Sequence, residues 1–236
     1  MFDGRFRTQV DAAVKPVGQA ITRAGISADM ITGVGIVMSV AAAVAIGFGA
    51  LNLGVLLVLL TGVPDLLDGA VAKASGKSSQ RGAFFDSVSD RITDGLLFTA
   101  LAFYFASEGR SPWVVVLPVL GYVTASWVSY VRAKADALGF DATGGLVERA
   151  ERIIMLAVGL LFGGAVLIGV LIAIVVLNLI TAGQRFVKVW RQATDATPAL
   201  AAARRPRRAP RATRTSAERR AARAERRRQT AAKRSR

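Results

Sequence analysis

"PDLLDGAVAKASGKSSQRGAFFDSVSD", residues 64–90, decides the reading of this chain. It holds four aspartates, Asp65, Asp68, Asp86 and Asp90, in a sequence that is otherwise largely apolar on either side. The first pair is three residues apart and the second four. On helices both spacings put a pair on one face. "GKSSQRG" reads as a polar, glycine-bounded loop. Two helices joined by it can turn their acidic faces together and gather four carboxylates round one small volume. Asp94 extends the second stripe by a further turn.

Such a cluster is unfavourable by itself. Like charges repel, and burial near a bilayer adds several kcal/mol per charge on insertion scales. Lys73 and Arg91 are close in sequence but too few to neutralise it. Clustered carboxylates bind hard divalent cations, Mg²⁺ above all where phosphates are handled. Two ions about 3.5–4 Å apart suit four carboxylates, one of them bridging. The other reading is that the aspartates cap helix ends and face water. It suits Asp65 after Pro64, but it does not account for a shared face on two successive helices. Gly69 and Gly82 would let backbone approach a ligand closely, or serve as packing and turn glycines.

Outward from this stretch the chain is hydrophobic. Of its 236 residues 53% are hydrophobic, and the mean hydropathy is +0.42. Apolar runs predict membrane-spanning helices at about 30–49, 52–72, 83–106 and 112–137. A fifth run, 153–183, is 31 residues long, about 46 Å as one helix against a hydrocarbon core of about 30 Å. A break near Gly163–Gly164 divides it into two spans and makes six in all. The expected fold is therefore an all-α integral membrane protein with six transmembrane helices. Val10, Val14, Val17 and Ile21 recur at three- and four-residue steps. They predict an amphipathic helix on the membrane surface over residues 1–25, with an ordinary soluble helix as the alternative. No cleavable signal peptide is expected there. The chain has neither cysteine nor histidine, which excludes disulfides, thiolate nucleophiles, imidazole bases and Cys/His zinc sites.

The whole chain carries a net charge of +15, and from Ala201 onward 15 Lys or Arg against two Glu supply +13 of it. Few apolar side chains other than alanine occur there, so a basic disordered C-terminal tail is expected. Nucleic acid and anionic lipid head groups both attract such a run. With no aromatic residue to stack on bases, we assign the tail to lipid. The positive-inside rule places it in the cytoplasm, and Arg5, Arg7, Lys15 and Arg23 place the N-terminal segment there too. An even number of spans follows. The expected organisation is a juxtamembrane helix at 1–25, a transmembrane domain at 26–190 and a cytoplasmic tail at 191–236.

The motif D-x2-D-G-x2-A-K-x8-G-x3-D-x3-D, Asp65 to Asp90, resembles the signature of the CDP-alcohol phosphotransferases. That family usually has arginine where Lys73 stands; lysine keeps the charge but loses the forked geometry. The resemblance covers about residues 20–190. It implies a six-helix membrane enzyme, commonly a homodimer, that moves a phosphatidyl group from a CDP-linked lipid to an alcohol and releases CMP. It implies two Mg²⁺ (Mn²⁺ in their place) on Asp65, Asp68, Asp86 and Asp90, with Asp90 also the catalytic base. Asp29 and Thr32 of "ISADMIT", with Gly69, Ala72, Lys73, Ser79 and Gly82, would face CDP-diacylglycerol. A plainer role for Ser27 or Asp29 is helix capping.

"SYVRAKADALG" and "GGLVERAERII" are similar to the actinobacterial branch that makes phosphatidylinositol phosphate. The resemblance assigns Arg132, Lys134, Arg152 and Arg185 to the phosphate of inositol phosphate, with Arg149 a further candidate. The alternative for these residues is anchoring at the membrane interface. It implies an enzyme of the plasma membrane with both termini cytoplasmic. The nearest rival acceptor is glycerol 3-phosphate. A rival of another class is a transporter whose carboxylates bind a permeating ion, although it would not need the glycine pattern or the nucleotide-side residues.

Overall fold

The computed structural model describes residues 23–74 and 80–204 and isolated positions at 16, 17, 20, 21, 223 and 225; side chains at 64–70, 72–74 and 197–204 are outside the description. Among the described residues the fold is all-helical: α1 Ala28–Gly47, α2 Leu51–Ala74, α3 Gln80–Ser107, α4 Pro112–Leu138, α5 Arg149–Phe162 and α6 Gly164–Arg204. The chain divides into two compact units, Met1–Ala193 and Thr194–Arg236. The expected surface helix and most of the expected tail lie outside the described residues.

Local chemistry fixes the helix ends. Ser27 caps α1, its hydroxyl accepting from the Met30 amide at 3.3 Å. Pro112 opens α4 at a position where no amide is needed, and Gly139 closes it in the left-handed conformation, φ 77°. The long apolar run breaks where expected, at Gly163 and Gly164 with φ of 61° and 47°, values that other residues rarely adopt.

Three helices among the described residues are long and apolar enough to cross a membrane: Ala28–Gly47, Pro112–Leu138 and the Gly164–Ala196 part of α6. In α1 the exposed Met30, Val34, Val37 and Val44 are as apolar as the buried Ile31, Ala42 and Ile46. An outer face of that kind suits lipid rather than water. The apolar part of α2 is Leu51–Val63. α5 has 14 residues, about 21 Å, less than a hydrocarbon core of about 30 Å.

α1 packs on α2 and α3, α3 on α4, and α2 on α5. One apolar cluster joins Ile46, Val58, Leu101, Phe105, Leu160 and Leu171. Close approaches need small residues: a Cβ at Gly121 would lie 2.7 Å from the Phe98 ring, so α3 and α4 meet there only through glycine. Buried Asn178 of α6 donates to Thr124 Oγ1 of α4 at 3.3 Å, a polar tie between helices. Asp29 at the start of α1 meets Arg81 at the start of α3, and Arg149 at the start of α5 meets Asp90 of α3, so the beginnings of these three helices gather the described site residues.

Candidate active site

Gly82, Asp86, Asp90 and Asp94 follow one another at four-residue steps on α3 and so share a face. Ser39 of α1 holds that helix against α3, donating to Thr93 Oγ1 at 3.2 Å. Beside this contact lies a polar cavity of about 20 Å³, lined by Thr32, Thr61, Asp86, Ser89, Asp90 and Arg149 among others. It has room for a water or an ion. Thr32 is almost fully buried and also donates to the Ala28 carbonyl at 3.1 Å. Asp29, one turn before it, pairs with Arg81 at 3.6 Å, joining the starts of α1 and α3.

The oxygens of Thr32, Thr61, Asp86, Ser89 and Asp90 in this lining are hard donors, which fit Mg²⁺ or Mn²⁺ rather than a softer metal, and Arg149 shares the cavity with them. Among the described residues no group of three or more carboxylates closes on one point. The side chains of Asp65, Asp68, Ala72 and Lys73, and residues Gly69 and Ser79, lie outside the description. Asp65 and Asp68 fall in the last three turns of α2, which ends at Ala74.

The start of α5 brings arginines onto the acidic stripe. Arg149 and Arg152 are three residues apart and Asp90 and Asp94 four, each about one helical turn. Arg149 Nη1 lies 2.8 Å from Asp90 Oδ1. Arg152 Nη2 donates to Asp94 Oδ2 at 3.2 Å, with both side chains only 4% exposed. Arg91 and Arg149 also approach Asp94, each at 3.6 Å. Asp94 is thus a buried counter-ion beneath three guanidiniums.

A second group forms where α4, α5 and α6 meet. Arg185 of α6 donates from Nε to the Gly144 carbonyl at 2.8 Å, from Nη1 to the Val128 carbonyl at 3.1 Å, and from Nη2 to Glu148 Oε1 at 3.2 Å. Arg132 lies 3.7 Å from the same oxygen. Lys134 is exposed on α4, about 200° round the helix from Arg132, so the two point to different faces. Gly145 packs against α6 so closely that a Cβ would collide with the Thr181 methyl, and its φ of +128° favours glycine as well. Lys188 donates to Asp141 at 2.7 Å, and Gln192 pairs with both backbone groups of Asp141. The α4–α5 loop is thereby fastened along α6.

Glu148 was not among the sequence-derived site residues, and Asp94 and Arg149 were only marginal there. For Arg149 and Asp94 a signal exists: arginines three apart opposite aspartates four apart, two stripes able to mesh. For Glu148 the only local signal is its spacing from Glu151, which gives the capping box at the start of α5.

The model of the family described as CDP-alcohol phosphatidyltransferase matches residues 26–190. The chain belongs to the CDP-alcohol phosphatidyltransferase family. The resemblance drawn from the aspartate motif is borne out. The chain is 39% identical over 150 residues to a phosphatidylinositol phosphate synthase of Mycobacteroides abscessus, covering 63% of this chain and 68% of that one. It is 33% identical over 191 residues to the synthase of the same name from Mycobacterium marinum, covering 76% and 81%. Among solved structures it resembles the Mycobacterium tuberculosis phosphatidylinositol phosphate synthase with CDP-DAG bound, with a TM-score of 0.69, 32% identity, and 75% and 93% of the two chains covered. A structure of that enzyme in complex with manganese and citrate superposes with a TM-score of 0.70 at 31% identity, covering 75% and 88%. Membership of this transferase family removes the transporter reading.

Proposed function

We propose that the chain is a phosphatidylinositol phosphate synthase, transferring the phosphatidyl group of CDP-diacylglycerol to inositol phosphate with release of CMP. The observation that carries this reading is the gathering of arginines at the site. Among the described residues, Arg91, Arg149 and Arg152 converge on Asp90 and Asp94, and Arg132 and Arg185 converge on Glu148. Guanidiniums gathered in this way beside the candidate base suit an acceptor that carries its own phosphate. An apolar cavity of about 740 Å³, lined by Met30, Val34, Val37, Leu60 and Val63 among others, adjoins the start of α1 and suits acyl chains.

In this mechanism Asp29, Thr32, Gly69, Ala72, Lys73, Ser79 and Gly82 hold the nucleotide side of CDP-diacylglycerol. Arg132, Arg152 and Arg185, with Lys134 at the rim, hold the acceptor's phosphate. Asp90 takes the proton of the attacking inositol hydroxyl. The hydroxyl oxygen bonds to the phosphorus that bears diacylglycerol, and the bond to the CMP oxygen breaks. Two Mg²⁺ on Asp65, Asp68, Asp86 and Asp90, or Mn²⁺ in their place, would offset charge on the diphosphate and leaving CMP.

The same reading makes residues 26–190 a transmembrane domain of six spans in the plasma membrane with both termini cytoplasmic, preceded by the surface helix at 1–25. The tail at 191–236 then lies against anionic lipid, and two copies pair as a homodimer. Six helices among the described residues support the even number of spans.

The test is CMP release from CDP-diacylglycerol by the purified protein. Release should need both Mg²⁺ and an acceptor and be fastest with inositol phosphate. Faster release with glycerol 3-phosphate would reassign the acceptor, and release indifferent to Mg²⁺ would remove the metal site.

A further inference from the structure

The exposed side of the arginine cluster holds a feature that the transfer reaction does not require. Arg132 and Arg185 converge on one oxygen, Glu148 Oε1, at 3.7 and 3.2 Å. Two nitrogens of Arg185 are already on the carbonyls of Gly144 and Val128. Those carbonyls fix the plane of the guanidinium without neutralising it. The edge of Arg185 that faces an anion is the one Glu148 occupies. Arg185 is 4% exposed, whereas Glu148 and Arg132 are each 47% exposed, so the anion position opens to solvent although the arginine beneath it does not.

Glu148 also has a second set of partners. It is the N-cap of α5, where its carboxylate accepts from the third backbone amide of the helix while Glu151 Oε2 accepts from the Glu148 amide at 3.0 Å. That one backbone amide can keep the carboxylate partnered when it leaves the arginines, while the bond from the Glu148 amide to Glu151 holds the cap in place.

We infer that Glu148 is a resident anion of the acceptor pocket, which holds Arg132 and Arg185 in place until the acceptor's phosphate displaces it. This rests on the reading that these arginines bind that phosphate. The carboxylate then works as a filter. A phosphate, with more charge and more acceptor oxygens, displaces it from the two guanidiniums. An uncharged alcohol has nothing with which to do so.

Inorganic phosphate is the probe, used as an inhibitor of the purified full chain turning over CDP-diacylglycerol and inositol phosphate. Glu148→Gln keeps the shape and a capping oxygen but removes the charge. It should lower the phosphate inhibition constant and the acceptor KM by about three- to tenfold, and leave the CDP-diacylglycerol KM in place. Glu148→Asp, a good cap too short to reach the arginines, should act in the same direction and stands in if the glutamine variant does not fold. Phosphate inhibition that is unchanged or weakened in both variants overturns the inference. An equal tightening in Glu151→Gln would assign the effect to bulk charge and overturn it as well. If phosphate does not compete with the acceptor in the unaltered protein, the pocket reading itself fails and the inference with it. Competition that is present but indifferent to Glu148 defeats the inference alone.

Discussion

Asp94 and Glu148 each gather arginines, one inside the bundle and one at its edge. Asp94 is 4% exposed and lies under Arg91, Arg149 and Arg152. Glu148 is 47% exposed and touches Arg132 and Arg185. Burial decides what each can do. Removing one partner of a buried pair leaves a charge uncompensated and costs several kcal/mol, so Asp94 is fixed in place. The Glu148 carboxylate is half exposed, so a ligand that brings its own negative charge to the buried Arg185 can replace it. The same chemistry thus serves as framework in one region and as a replaceable contact in the other.

The largest effect expected is at the point where the framework meets the chemistry. Asp90→Asn should lower kcat by about 10²–10⁴-fold, the usual worth of a general base, while CDP-lipid still binds. Turnover that survives would take Asp90 out of that role and leave its 2.8 Å pair with Arg149 purely structural. Next comes stability. Asp94→Asn should destabilise the protein by about 3–5 kcal/mol, read as a lower unfolding temperature in detergent. Glu148→Gln should cost less in the same measurement, because Arg185 keeps two backbone carbonyls and Arg132 stays in water. Equal losses would erase the distinction between the two regions.

The smallest effect is on the exposed side. The Lys188 ammonium, followed by the Thr143 hydroxyl and amide, holds the Asp141 carboxyl well below its ordinary value of 3.8. A carboxyl depressed on folding contributes stability that is complete above its unfolded pKa and is lost as pH falls through the folded one. The stability gap between the unaltered protein and Asp141→Asn should therefore be constant at neutral pH and begin to close below about pH 4. A gap that closes at higher pH would place the effect on another group.

The helices were legible where apolar runs are continuous. α1 and α4 begin and end within about two residues of their expected limits, and the glycine pair gave the break between α5 and α6. The run to Arg204 in α6 was not legible, because hydropathy marks the membrane rather than the helix. Beyond residue 183 the chain is rich in Gln, Arg, Lys and Ala, which are good helix formers without being apolar. In the site, the Asp86–Asp90 stripe follows from spacing alone. The pairing of Arg185 with Glu148 does not, since it joins residues 37 positions apart through the packing of α5 on α6. Lys134 stands between these cases: proximity in sequence to Arg132 suggested a shared pocket, and the helical turn separates them.

The central claim is that arginines beside Asp90 hold the acceptor's phosphate. Steady-state kinetics of Arg152→Ala test it most directly, with both substrates varied. The account predicts that the inositol phosphate KM rises by about tenfold or more while the CDP-diacylglycerol KM stays within about twofold. A rise confined to CDP-diacylglycerol would contradict it.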